Sequence, residues 1–207
     1  MTLTLFHHPF SRAASIVWAL EELGEPYELR FVDILAGPDA KAELLHLNPM
    51  GKIPTLLDGD VVVTEAAAIC LYLADKYAPG RLAPPLDDPR RAAYLRWSFF
   101  SPSVLEPGVV AKSQGWSFRA SSVGWGSYEA VLVALRGAVE DGFILGETFS
   151  MADVVLGSTI RTLLRFGMLE EDPVLAGYVE RLSKRPALAR SDARNAGVVE
   201  QRGLAAT

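Results

Sequence analysis

The stretch Asn48-Pro49-Met50-Gly51-Lys52-Ile53-Pro54-Thr55-Leu56-Leu57 constrains the fold of this chain more than any other. Asn-Pro favours a turn, because the ring of Pro49 pushes Asn48 away from helical dihedrals. Gly51 permits dihedrals that residues with a Cβ avoid. Pro54 has no N–H to give to a sheet ladder, so it belongs at the start of a strand or after a cis peptide bond. In the second case the backbone of Ile53 is turned outward, free to pair with an extended ligand as another strand would. The next residues set the local order. Asp58-Gly59-Asp60 predicts a hairpin turn, Val61-Val62-Val63 a returning strand, and Thr64-Glu65-Ala66-Ala67-Ala68-Ile69 the opening of a helix.

Upstream, Thr2 to Phe6 reads as a strand and His7-His8-Pro9-Phe10-Ser11 as a loop. Arg12 to Leu23 reads as a helix ended by Gly24, and Tyr27 to Asp33 as a second strand. Asp39 to Leu47 is expected to form a short helix with Asp39 near its cap. The order βαβ-α-ββα, with a right-handed crossover and a hairpin, predicts a mixed four-stranded sheet with helices on both faces. This is the thioredoxin-like α/β architecture, and it occupies residues 1–78. Residues 79–88 hold Pro79, Gly80, Pro84 and Pro85 and are expected to form a linker.

Residues 89–207 are expected to form an all-α domain. Pro102 and Pro107 should kink or break its first helix. The Ser/Gly/Trp-rich stretch 115–126 should connect helices, and 128–141 is amphipathic. Ser150-Met151-Ala152-Asp153, with Phe149 before it, has the form of a capping box opening an apolar helix. Another helix is expected over 172–184, interrupted at Pro186. The small, polar residues after Asn195 suggest a loose tail.

Composition excludes several classes. The net charge of −5 argues against a general nucleic-acid binder. No apolar run is long enough for a transmembrane helix, and the first residues lack the basic start of a signal peptide. A single cysteine, Cys70, cannot form an internal disulfide, which fits a reducing cytoplasm. Placed between Ile69 and Leu71 in a helix, it reads as a buried small hydrophobe. No Cys/His cluster has zinc-site spacing, and the adjacent His7 and His8 lack a third ligand.

The order of loop, Ile53-Pro54, hairpin and Glu65 at a helix start resembles the glutathione S-transferase superfamily, of cytosolic, bacterial-like type. Its pattern is Asn-Pro-x-Gly-x-Val/Ile-Pro-x-Leu followed by Glu/Gln-Ser. The first half matches closely, whereas Ala66 stands where the family has Ser. The two-domain plan is similar along nearly the whole chain, but the specific motifs lie in its first third.

The resemblance implies glutathione as co-substrate, with Ile53, beside Pro54, pairing with its cysteinyl backbone. It further implies Lys52 at the glycyl carboxylate, and Glu65 and Ala66 at the γ-glutamyl end. Glu65 alone also reads as an ordinary first-turn acid, and Lys52 as a solvated charge. The lost hydroxyl at Ala66 removes a hydrogen bond to a charged group, worth roughly 1.5–3 kcal/mol.

Glutathione must react as thiolate, and a free thiol has a pKa of about 8.5. The family places Tyr, Ser or Cys in the loop after the first strand. Here that loop has no Tyr or Cys. Ser11 is the candidate hydroxyl donor and Arg12 an electrostatic helper, while an N-cap role suits Ser11 equally. Phe10, Tyr94, Phe100 and Trp116 are candidates for an apolar co-substrate pocket.

The resulting expectation is a glutathione transferase that binds a small electrophile and works as a homodimer, without metal, membrane or nucleic acid. Glutathione-dependent reductase, dehalogenase or isomerase activity fits the same fold, although the Ser-Ser-Cys-Ser-like loop of the isomerases is absent. A non-catalytic binding or assembly module is the alternative from another class.

Overall fold

A computed structural model describes residues 2–37 and 41–205. The expected cap at Asp39 lies outside the described residues. The chain divides into two compact units, Met1–Leu73 with Arg185–Thr207 and Ala74–Lys184, each taken over its described residues.

In the first unit the strands are β1 (Leu3–His7), β2 (Tyr27–Phe31), β3 (Thr55–Asp58) and β4 (Val61–Thr64). They form one sheet in the order β2-β1-β3-β4. β1 runs parallel to β2, as a crossover requires, and β3 and β4 are antiparallel neighbours. The crossover is α1 (Ala13–Leu23), whose buried face is Ile16, Val17, Leu20 and Leu23. It ends where Gly24 takes φ +82°. Side chains alternate across β1. Phe6 joins Val32 and Leu44, the latter from α2 (Ala42–Leu47), with Leu47, Ile53 and Leu57 packed against them. The hairpin is a two-residue turn with Gly59 at φ +61°. Asp58 at its base accepts from the hydroxyl of Tyr72 at 2.7 Å, on α3 (Ala66–Tyr77).

The tail expected to be loose is helical. α9 (Pro186–Arg202) belongs to this first unit. Its buried residues Ala187, Leu188 and Ser191 are small or apolar at helical spacing. Small residues here are a packing stripe rather than a sign of looseness. The charges on either side pair with α1. Arg185 grips Glu22 at 2.5 and 2.7 Å, and Arg190 reaches Glu21 at 2.7 Å. Glu22 also accepts from the indole of Trp18.

The second unit is helical: α4 (Arg91–Phe100), α5 (Glu106–Ser113), α6 (Tyr128–Val139), α7 (Met151–Arg165) and α8 (Pro173–Ser183). The expected break at Pro102 and Pro107 takes the form of a π turn, Ser101–Leu105, between α4 and α5. Residues 79–88 are packed rather than extended: Leu82, Ala83 and Pro84 are buried, and the Leu82 carbonyl accepts from the Met151 N–H. The capping box is present at the start of α7. Asp153, fully buried, accepts from the N–H groups of Ile144 and Ser150 and from the hydroxyls of Ser150 and Tyr178. Gly157 lets α8 approach, since a Cβ there would lie 2.3 Å from Leu182.

Candidate functional site

Strand register gathers the candidate residues of the first unit. Phe6 on β1 pairs with Thr55 on β3, and Thr55 pairs with Thr64 on β4. These three form a row across one end of the sheet. The segments just beyond it are His7 to Arg12, Lys52 to Pro54, and Glu65 with Ala66. Hence Ser11, Arg12, Lys52, Ile53, Pro54, Glu65 and Ala66, spread over 56 positions, share one edge. The helices α1 and α3 both begin there. At α1 the first N–H groups are engaged locally, Ala13 with Ser11 Oγ, Ala14 with the Ser11 carbonyl and Ser15 with the Arg12 carbonyl. A helix start whose first N–H groups lack an intrahelical partner is open to a ligand. Such helix starts favour anions.

The central loop is built on Asn48, which is buried. Its Nδ2 donates to the carbonyl of Lys52 at 2.9 Å, and its Oδ1 accepts from the Met50 N–H at 3.2 Å. The Lys52 carbonyl accepts again from Thr55 Oγ1 at 3.1 Å. Gly51 takes φ +60°, and a Cβ on it would meet Leu45 Cδ2 at 2.9 Å. The Ile53–Pro54 peptide bond is cis. Lys52 is exposed, Ile53 half-buried and Pro54 buried.

Glu65 precedes α3 rather than starting it. It is exposed, and its φ of +68° makes it the one non-glycine residue in the left-handed region among the described residues. A residue with a Cβ is strained there by roughly 1–2 kcal/mol, and such strain clusters at ligand sites. Its carbonyl accepts the Ile69 N–H at 2.9 Å. Ala66, half-buried, is the first helical residue.

In the loop after β1, Ser11 is half-buried. Its hydroxyl donates to the His8 carbonyl at 2.8 Å and accepts the Ala13 N–H at 3.1 Å. The cap-like role considered from the sequence is therefore occupied. Arg12 is exposed, and its carbonyl accepts from Ser15 Oγ at 2.8 Å. His8 is oriented by the Phe10 N–H, which donates to its Nδ1 at 3.1 Å, and by ring contacts with Phe10 and Phe31. Burial lowers the His8 pKa against the opposing pull of Asp33. Burial also lowers that of His7, which favours a neutral ring.

The pocket aromatics are divided. Phe10 belongs to the first unit and is 40% exposed. In the helical unit Tyr94 is fully buried, with the Arg91 guanidinium 5.1 Å from its ring centre. Phe100 packs on Trp97 at 4.8 Å, and Trp116 is 57% exposed. Cys70 is buried and its thiol is pushed up to about 12 by desolvation, so it is no nucleophile. Among the described residues, no group of three or more His, Cys, Asp or Glu is arranged to hold a metal, and no helix is long and apolar enough to cross a membrane.

Sequence reasoning missed Asn48 as the organiser of the central loop, although its place before Pro49 was a signal. It missed His8 as the acceptor for Ser11, for which local sequence carried no signal.

Residues 1–75 match the family model described as the glutathione S-transferase N-terminal domain. The chain is 30% identical over 183 residues to glutathione S-transferase Z2 of Arabidopsis thaliana, covering 82% of this chain and 80% of that one. It is 40% identical to human glutathione S-transferase theta-2 over 101 residues, 47% of this chain and 41% of the relative. Among solved structures, the glutathione transferase URE2P6 of Phanerochaete chrysosporium, in complex with oxidized glutathione, superposes with a TM-score of 0.78. Its identity is 27%, over 95% of this chain and 97% of that one.

Proposed function

Given that this chain belongs to the glutathione S-transferase superfamily, we propose that it binds glutathione along the sheet end and holds the thiolate for attack on a small electrophile. The observation that carries this reading is the Phe6–Thr55–Thr64 row, with Glu65 strained beside it. Each part of the tripeptide has a complementary group. The backbone of Ile53 pairs with the cysteinyl backbone, in the manner of an added strand. The γ-glutamyl carboxylate meets the start of α3 at the Ala66 N–H. Its ammonium meets the Glu65 carboxylate, and Lys52 meets the glycyl carboxylate.

Catalysis in this scheme is stabilisation of charge and proximity. The thiol proton leaves to solvent. The sulfur lone pair then forms a bond to the electrophilic carbon, which expels its leaving group with its electron pair or takes the charge by addition. Ser11, the start of α1 and Arg12 stabilise the sulfur anion. Phe10, 40% exposed, is the proposed apolar contact of the electrophile in the first unit, whereas Tyr94, expected in the pocket, is fully buried and closed to a ligand. The proposed assembly is a homodimer, to be checked by sedimentation, in a reducing compartment such as the cytoplasm.

A second reading, a glutathione-binding module without turnover, is favoured by one observation. The Ser11 hydroxyl already donates to the His8 carbonyl, so its proton must be released before it can serve a thiolate. Calorimetric titration with reduced glutathione, beside the Glu65→Ala variant, tests the site. Binding that the variant loses supports it, and no binding at millimolar glutathione removes it. Turnover of chlorodinitrobenzene by the binding-competent protein then separates the two readings.

A further inference from the structure

Asn195 on α9 connects both ends of the loop that carries Ser11. Its Oδ1 lies 2.7 Å from Nε2 of His7, the last residue of β1, across 188 positions of sequence. Its Nδ2 donates to the carbonyl of Ala14, in the first turn of α1, at 3.5 Å. The same Nδ2 donates to the Ser191 carbonyl at 3.0 Å, which anchors the amide on its own helix. A planar amide has an acceptor and two donors at fixed angles. It can therefore hold the end of β1 and the start of α1 together, where an apolar side chain could hold neither.

The His7 ring completes the link. It is fully buried, and Nε2 must carry the proton to face an amide oxygen. Its Nδ1 has no partner among the described residues, so no second bond orients the ring. The next residue, His8, supplies the carbonyl that accepts the Ser11 hydroxyl. A tilt of the ring at His7 therefore passes through one peptide unit to that hydroxyl. Burial is the main cause that disfavours a charge on His7, with His8 adding to it and Asn195 opposing, while Arg194 and Arg202 of α9 line the same cleft.

We propose that Asn195 is a positioning residue for the thiolate-stabilising loop, setting the separation of His7 and Ala14 and through it the direction of Ser11 and the first N–H groups of α1. This rests on the glutathione-transferase reading of the site. Asn195 touches no substrate in this scheme, and α9 takes part in activity without lining the glutathione groove.

Asn195→Leu and Asn195→Asp test it with chlorodinitrobenzene as electrophile and glutathione titrated in parallel. Leucine removes the bonds to His7 and Ala14, together with the anchoring bond to Ser191. The glutathione Kd should stay within about threefold, because Lys52, Ile53 and Glu65 lie beyond β3 and β4, while kcat falls on the order of 10- to 100-fold. Ionisation of the bound thiol, followed by thiolate absorbance, should move up by about one pH unit, a tenfold change. Aspartate is isosteric and serves if leucine prevents folding. It keeps the acceptor and adds a charge, so His7 should hold its proton to higher pH, seen in its ring resonances and as a new inflection in the kcat–pH profile. A purely structural residue would lower the melting temperature and leave kcat per folded molecule, thiol ionisation and pH profile unchanged, which would overturn the proposal. If the wild-type protein fails to bind glutathione, the functional reading fails by itself. The positioning role is then read by hydrogen exchange at the amides of Ser11 and Ala13, expected to quicken at least about tenfold in Asn195→Leu. Unchanged exchange overturns it.

Discussion

The side-chain amide of Asn48 donates to the backbone carbonyl of Lys52 at 2.9 Å, and so closes the loop that delivers Ile53 to the sheet end. The same carbonyl takes a second bond from Thr55, so both sides of the loop are tied to one oxygen. Replacing Asn48 by Ala leaves the Lys52 carbonyl with one partner fewer and a small void at a buried position. The expected cost is about 1–3 kcal/mol of stability. Glutathione affinity should fall with it, because the Ile53 backbone loses its fixed direction. Chemical denaturation and calorimetry on the same variant measure the two losses.

Glu65 offers a separation of stability from function. At φ +68° a glycine is unstrained. Glu65→Gly should melt at the wild-type temperature or above it, while glutathione affinity drops about 10- to 100-fold with the loss of a charge-assisted contact. A variant that binds normally would remove Glu65 from the site.

Ala66 is the position where a hydroxyl can be restored. It is half-buried at the first turn of α3. Ala66→Ser should tighten glutathione binding about tenfold or more if the new hydroxyl reaches the γ-glutamyl carboxylate. Titration of both proteins at equal ionic strength decides it. An unchanged Kd would mean that the carboxylate sits elsewhere.

Ser11 has a structural bond and a proposed chemical one. Ser11→Ala removes the acceptor for the Ala13 N–H, which should cost about 1 kcal/mol. Ser11→Asp retains an acceptor there but has no proton to give at neutral pH. The aspartate variant also loses the bond to the His8 carbonyl, so it is less stable than wild type, and if Ser11 stabilises the thiolate its turnover per folded molecule is lost. Full turnover per folded molecule in Ser11→Ala would move the role to the N–H groups of α1.

Acid should loosen the first unit in two stages. Burial lowers the His7 pKa below its ordinary 6.5, with Asn195 opposing and His8 adding. A folded pKa depressed below the unfolded one contributes stability that is present above 6.5 and lost as pH falls through the folded value. Burial pushes the Glu21 carboxyl up, but the Tyr27 hydroxyl, Arg190 and Arg194 outweigh it, and the net pKa lies below the ordinary 4.5. Its contribution is present above 4.5 and lost below. Denaturant midpoints measured from pH 7 downward should fall first beneath 6.5 and again beneath 4.5. Glu21→Gln should flatten the second decline. Asp153 has the opposite sign, since burial raises its pKa despite four donors, and its protonation in acid relieves a cost.

The residues that were legible in the sequence are those whose partners lie within a few positions. The turn at Asn48-Pro49, the glycine of the hairpin and the box of Ser150 with Asp153 depend on local dihedral preferences and short hydrogen bonds, which neighbouring residues encode. The strand alternation that places Phe6 against Val32 and Leu44 is similarly local in each strand, and it settled the sheet. The left-handed conformation of Glu65 was not legible, because nothing in the residue type asks for it. Nor was the ordering of the last helix. Arg185 and Arg190 look like solvated charges, and Asn195 like part of a polar tail, until α1 supplies Glu22, Glu21 and the Ala14 carbonyl. Those partners lie 163 to 181 positions away. By itself the sequence determined the strands and helices of the sheet domain before its last helix, their order, and the sheet end at which the candidate residues gather. The tertiary structure alone decided which helix steadies that end, because pairing across such separations follows from how helices pack and from no preference that a single residue carries.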